Sequence, residues 1–391
     1  MNPSRRRFLG STLPACLAGL GGCATVGDWF GGEDNTQPPA ELVDFEPRIE
    51  LTTLWSRSVG AGADSQYLKL APAVGGQRVY AANHDGRVSA FDAASGDEVW
   101  DQSTDLPISG GPGIGADAVF VGTSNGDVLA LGNEDGAVKW RARVSSEVLA
   151  CPRAAEDVVV IRTIDGKLFG LDAGDGERLW VYDRTVPVLT LRGTSSPALA
   201  EGIAVAGFDS GRLVCLALAT GQTLWEASVA VPRGRSELER MVDIDADPVI
   251  VGNVVYVVSY QGRVAAVDLR NGEVLWRRDM SSHAGLGVDR INVYVTDESS
   301  HVWALDRRSS ASVWRQTQLQ ARRLTPPAVF ASYVVVGDFE GYVHWLDRDD
   351  GSFAARAHVD SSGILAAPVA TPEALYVYGA GGELSALKVE R

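Results

Sequence analysis

AFDAASGDEVW at residues 90–100 and AVDLRNGEVLW at 266–276 are two copies of one frame, Ala-x-Asp-x-x-x-Gly-x-x-x-Trp, set far apart in the chain. Working outward from them, a proline precedes each final tryptophan by 28 residues: Pro72 and Trp100, Pro248 and Trp276. The same gap separates Pro112 from Trp140, Pro152 from Trp180 and Pro197 from Trp225. Fourteen residues after each of these prolines stands Gly86, Gly126, Gly166, Gly211 or Gly262; twenty-four after stands Gly96, Gly136, Gly176, Gly221 or Gly272. A repeat of constant register decides the architecture before any single segment does.

Weaker copies fall on the same ruler. One runs from Leu286 to Trp314, with Ser300 and Ser310 in the glycine positions. Another runs from Pro327 through Gly341, Asp347 and Gly351 to Ala355, where alanine takes the tryptophan position and Phe353, on the same strand face, is expected to fill the gap. The eighth copy starts at Pro368 and runs out of chain before its tryptophan, while Trp55 in IELTTLWSRSV (49–59) has no repeat of its own. The N-terminal strand is therefore expected to complete the last unit, closing a ring without free sheet edges. Each unit reads as four short strands rich in Val, Ala and aromatics, separated by glycine turns. The sequence thus predicts an all-β, eight-bladed β-propeller of four-stranded antiparallel blades, spanning 47–391, with its tryptophans wedged between neighbouring blades.

Composition limits what such a ring does. In 391 residues there are 43 glycines and 10 tryptophans, and 45% of positions are apolar, which excludes a disordered or fibrous chain. Fifty acidic against 35 basic residues give a formal charge of −15, so nucleic acid is not an expected partner. Four cysteines make neither a disulfide scaffold nor a zinc site, and Cys151 and Cys215 read as buried free thiols. No apolar run in the body of the chain is long enough to span a bilayer.

The first residues read as an address. MNPSRRRFLGSTLPACLAGLGGC (1–23) joins a basic start to a short apolar stretch and small residues, the pattern of a secretory signal over 1–22. Leu20-Gly21-Gly22-Cys23 resembles the bacterial lipoprotein box, which implies cleavage before Cys23, lipidation of its thiol and acylation of the new amino group. Three acyl chains at about 0.8 kcal/mol per buried methylene make such an anchor effectively permanent. Ala24, rather than aspartate, then implies sorting to the outer membrane, with the body on its periplasmic face. Ser4-Arg5-Arg6-Arg7-Phe8-Leu9 also looks like a twin-arginine signal, which leaves the export route open between twin-arginine and general secretory. Residues 23–46 mix Gly, Pro and acids without period and are expected to be a lipidated N-terminus and flexible tether.

Two family resemblances attach to the repeat. The Ala-x-Asp-x-x-x-Gly-x-x-x-Trp frame resembles the tryptophan-docking repeat of quinoprotein dehydrogenases, which implies pyrroloquinoline quinone and calcium at the axis. Against that, the five histidines occupy unrelated repeat positions, no adjacent cysteine pair is present, and the dispersed acids sit at turns. No cofactor, metal, small-molecule substrate or catalytic residue is expected. The lipoprotein box, the eight units and stretches such as VPVLTLRGTSSP (186–197), ERMVDIDADPV (239–249) and GDFEGYVHWLD (337–347) together resemble the BamB family, propeller lipoproteins of the β-barrel assembly machinery. That resemblance implies a non-catalytic scaffold that binds the periplasmic domains of BamA, alongside other subunits of the machinery, and assists insertion of β-barrels into the outer membrane. A periplasmic propeller serving another envelope complex would have the same architecture and different loops.

Loop arithmetic points to a surface. With 28 residues held constant inside each repeat, length variation lies between one tryptophan position and the next proline position, and all these connections share one face. The connections from Trp180 to Pro197 and from Trp225 to Pro248, of 17 and 23 residues, are adjacent and make the largest insertion. They contain Leu189, Leu191 and Arg192, and Asp243 and Asp245, positions that the family resemblance implicates in BamA binding. The leucines would offer apolar anchors and Arg192 a forked donor. The aspartates would pair with a basic partner or orient Arg192. Read without the resemblance, the leucines pack over blade tops and the aspartates cap the turn before Pro248.

Overall fold

Eight four-stranded sheets stand around a common axis, and seven of them pair their strands in chain order from the inside out. The computed structural model describes residues 37–184, 189, 195–232, 235–236 and 238–390, among which there is no α-helix. Blade 1 consists of Ala73–Gly75, Arg78–Ala82, Arg87–Asp92 and Glu98–Ser103; blades 3, 4 and 5 span 153–182, 198–228 and 249–279; blade 7 consists of Ala328–Phe330, Tyr333–Gly337, Tyr342–Asp347 and Phe353–His358. Blade 8 has three strands of its own, Val369–Ala370, Leu375–Tyr378 and Glu383–Val389, and takes its fourth, Leu51–Ser58, from the N-terminus. That strand pairs from Leu51↔Val389 to Ser58↔Glu383, so the ring closes as the repeat arithmetic predicts.

The middle strands are covered on both faces and read as apolar runs: Ala118–Thr123 is buried throughout. The outermost strands alternate. In Val138–Arg143 the buried residue at the centre is Trp140, while Val138 is exposed. Seven described indoles occupy the equivalent position and all reach the next blade. Their Nε1–H groups donate to the carbonyls of Ala93, Asn133, Ala173, Leu218, Leu269, Arg307 and Arg348, over 2.7–3.0 Å. Each acceptor directly follows the repeat's aspartate position, in the turn between third and fourth strands. The indole lies on the glycine of that turn: a Cβ on Gly136 would come within 2.5 Å of Trp100, and one on Gly176 within 2.6 Å of Trp140. Both glycines hold positive φ, +70° and +78°. Burying such a side chain contributes about 1.5–3 kcal/mol, repeated around the ring.

The aspartate of the frame serves the same turn. Asp92 Oδ1 accepts from the backbone N–H groups of Ala94 and Ser95, and Asp172 Oδ1 from Gly174 and Asp175. Backbone donors hold the Asp92 carboxyl below its ordinary pKa. At Asp268, the Arg270 guanidinium, aided by a backbone donor, lowers it to about 2.

Blade 7 departs from the expected filling. Phe353 faces the other way, into the cluster of Trp314, Tyr294 and Leu346. The space beside Ala355 is taken by Trp345, its direct cross-strand neighbour, which is fully buried against Leu375, Val377 and Leu387 of blade 8. In the other blades a small residue such as Ala90 or Ala130 faces the tryptophan across the strands, so blade 7 exchanges large and small partners. The reason lies in blade 8: its fourth strand comes from the other terminus, so there is no turn carbonyl for an indole to reach. The Trp345 Nε1–H is buried without an acceptor.

The last residues of the expected tether are packed against the propeller. Residues 39–391 form one compact unit, and the segment expected to be flexible up to 46 lies against blade 7 from residue 40 onward. Ala40 N–H donates to Gln320 O (2.9 Å), Arg322 Nη1 donates to Ala40 O (2.9 Å) and Arg356 Nη2 donates to Val43 O (3.1 Å). Phe45 stacks on Phe353 at 5.1 Å, beneath the Arg356 guanidinium. Cys23 lies outside the described residues.

Candidate functional site

In most blades the innermost strand starts just after the repeat's proline, whereas Pro112 lies within the strand Ile108–Ile114; Pro72, Pro112, Pro152, Pro197, Pro248 and Pro327 line an axial cavity of about 730 Å³. Proline suits that position, because the inner edge of the first strand has no neighbouring strand awaiting its N–H. Cys151 lies half-buried in the cavity wall, while Cys215 is fully buried, its thiol pushed up to about 12 by desolvation. Both thiols are free.

Over blades 3 to 5 the two long connections are stitched to each other at their ends. Ser195 Oγ donates to Ala246 O (3.0 Å), and Ser196 N–H donates to Asp247 Oδ1 (2.6 Å), whose carboxylate also pairs with Arg153 (3.1 Å). Beneath them Arg162 and Asp209 form a buried ion pair at 2.9 Å, with Arg162 Nη1 also donating to Ser195 O. Burial pushes the Asp209 carboxyl above its ordinary value even though Arg162 opposes the shift. The Phe208 ring lies under the guanidiniums of Arg162 and Arg184, with Tyr182 at 5.7 Å. Arg184 in turn pairs with Glu226 at 3.2 Å. Ile244 seats the longer connection on blade 4: it is fully buried, its N–H donates to Phe208 O (3.3 Å), and its side chain fills the space where Gly207 has no Cβ.

The predicted residues take different places on this scaffold. Leu189 is 43% exposed, and Val231 and Leu238 on the neighbouring connection are more so, at 57% and 60%. Asp243 is fully buried, and its backbone carbonyl accepts from Tyr260 N–H (2.8 Å). Asp245 is 8% exposed and meets the Lys69 ammonium at 3.6 Å. Leu191 and Arg192 lie outside the described residues. Leu189 thus presents apolar surface, while the two aspartates are buried in the seam. Sequence reasoning missed Lys69, Arg153, Arg162 and Asp209. One signal was available for Lys69: it is one of four lysines in the chain and lies in the connection from Trp55 to Pro72, itself 17 residues long.

Fold and site together define a class: a closed eight-bladed propeller whose repeat residues serve turns and blade seams, and whose longest connections gather on one face. A family model described as "Outer membrane protein assembly factor BamB" matches residues 84–316. A protein of that name from Pseudomonas aeruginosa is 52% identical over 352 residues, covering 90% of this chain and 93% of the relative. One from Alkalilimnicola ehrlichii is 50% identical over 386 residues, covering 99% and 97%. The crystal structure of BamB from Moraxella catarrhalis is similar with a TM-score of 0.79 at 28% identity, over 87% of this chain and all of that one. The chain belongs to the BamB family. The quinohemoprotein alcohol dehydrogenase of Comamonas testosteroni, with a TM-score of 0.68 at 13% identity, shares the propeller fold alone.

Proposed function

We propose that this propeller is a non-catalytic adaptor of outer-membrane protein assembly, which binds the periplasmic domains of BamA through the connections of blades 3 to 5. It would be held at the periplasmic face of the outer membrane by lipid on Cys23. The observation that carries the reading is the seam itself: two adjacent long connections, tied to each other and to blade 4, leave Leu189, Val231 and Leu238 exposed. A few apolar anchors on a rigid base are what an interface of modest area needs. Relatives named outer membrane protein assembly factors support the setting.

The test is a pull-down of tagged protein from gently solubilised membranes, wild type beside Leu189→Ala/Arg192→Ala. BamA is expected with the wild type and not with the folded double variant. If BamA is absent from both, the partner is wrong; if both recover it equally, the surface is wrong.

A further inference from the structure

The connection that enters blade 1 is packed on blades 8 and 1. Val59, Ala63, Leu68 and Leu70 bury its apolar side chains, and its backbone is tied to blade 8 by Ala63 N–H donating to Ala380 O (2.9 Å) and to blade 1 by His84 N–H donating to Gly62 O (2.8 Å). From that base Lys69 meets Asp245, which precedes blade 5. Blades 1 and 5 are opposite in a ring of eight, so this ion pair spans the axial cavity at the face that carries the long connections. The two side chains are 19% and 9% exposed. Among the described residues no backbone hydrogen bond joins 59–71 to 239–248, so the side chains carry the link. His283 feels the same charges: burial and Lys69 lower its pKa, against Asp245 and Glu298.

We propose that Lys69 is a positioning residue of the partner-binding face: its ammonium, brought across the axis, holds Asp245 and with it the 239–248 segment in the conformation that receives the partner. The proposal rests on the adaptor reading. The pair is largely screened from water, so its attraction is stronger than that of a pair on the open surface. Asp245 has a cation from its own chain and does not require one from the partner. The shape of the loop over blades 4 and 5 therefore depends on a residue half a ring away.

Two measurements test it. In the first, the affinity of the full-length protein for a purified BamA periplasmic fragment is compared across wild type, Lys69→Arg, Lys69→Met, Asp245→Asn and the Lys69→Met/Asp245→Asn double variant. Each neutralising single change is expected to weaken binding roughly tenfold, with the double variant no worse than either single, as for residues acting through one contact. Lys69→Arg, which keeps the charge, is expected to bind like wild type. Wild-type affinity in Lys69→Met, or losses that simply multiply in the double variant, would overturn the latch. In the second, amide hydrogen exchange is followed at 241–246 without any partner. Faster exchange in Lys69→Met but not in Lys69→Arg is expected, and unchanged exchange sinks the proposal. If the wild type does not bind BamA at all, the adaptor reading fails while the exchange measurement still decides the latch. Should Lys69→Met fail to fold, Lys69→Gln carries the same comparisons.

Discussion

At the scale of the residue, the repeat is a device in which three side chains solve one problem. The aspartate ties down the turn between third and fourth strands, the glycine lets that turn take positive φ with no side chain above it, and the indole of the preceding blade settles on the bare backbone. Glycines that share the dihedral angle but lack the indole separate these demands. Gly76 has φ +61° and open space for 4 Å around the point where a methyl would stand, whereas at Gly136, φ +70°, that methyl would strike Trp100. Gly76→Ala is expected to cost about 1–2 kcal/mol, the left-handed penalty alone. Gly136→Ala is expected to cost roughly 3 kcal/mol or more, because overpacking adds to it. Urea denaturation of the two variants checks this, and equal losses would mean that the tryptophan yields freely. The tryptophan positions were legible because so large a side chain at fixed spacing has few alternatives. The exchange of Trp345 for Ala355 was not, because it depends on cross-strand register rather than distance along the chain.

At the scale of the element, the strap at 40–48 shows where composition misleads. Polar residues, proline and acids make it read as tether, yet Arg322 and Arg356, 282 and 313 residues further along the chain from the carbonyls they hold, supply the donors. Replacing Phe45 with alanine removes the stacking on Phe353 and the platform for Arg356. The half-buried ring is expected to be worth about 2 kcal/mol. Phe45→Ala should therefore lower the denaturation midpoint and open 40–48 to limited proteolysis. Unchanged cleavage there would show that the hydrogen bonds suffice without the ring. The strand that closes blade 8 is a contrasting case. It was legible because Trp55 was an unassigned tryptophan and the eighth repeat lacked one, so the two ends of the chain complete each other.

At the scale of the whole molecule, stability should depend on acid. His344 is fully buried, donates Nε2–H to Asp338 Oδ2 (3.0 Å) and accepts at Nδ1 from Arg356 Nε (3.2 Å), so the neutral ring uses both nitrogens. Burial depresses its pKa, Arg356 and Arg322 act in the same direction, and Asp338 opposes them. A histidine that binds its proton less tightly folded than unfolded contributes stability that is complete above the ordinary value near 6.5 and is lost as pH falls through it towards the folded pKa. His283 is shifted in the same direction, also chiefly by burial. Asp338, itself held below the ordinary carboxyl value, loses its contribution only in stronger acid. The melting temperature is therefore expected to fall between pH 7.5 and 5, and to fall less steeply in His344→Gln. An identical slope in that variant would remove His344 from the account.

The same division holds for the candidate site. Periodicity alone settled the number of blades, the order of their strands, the closure and the face on which the long connections lie, because each follows from distances counted along the chain. The positions of Leu189, Asp243 and Asp245 on that face were legible for the same reason. Folding decided which of them meets solvent. Leu189 is left exposed, while Asp243 and Asp245 are drawn into the seam. Lys69, remote in sequence and opposite in the ring, becomes the neighbour of Asp245 because a closed circle brings together residues that no repeat spacing relates. Spacing reports which strand a residue joins, but burial and charge pairing belong to surfaces that exist only once the ring has closed.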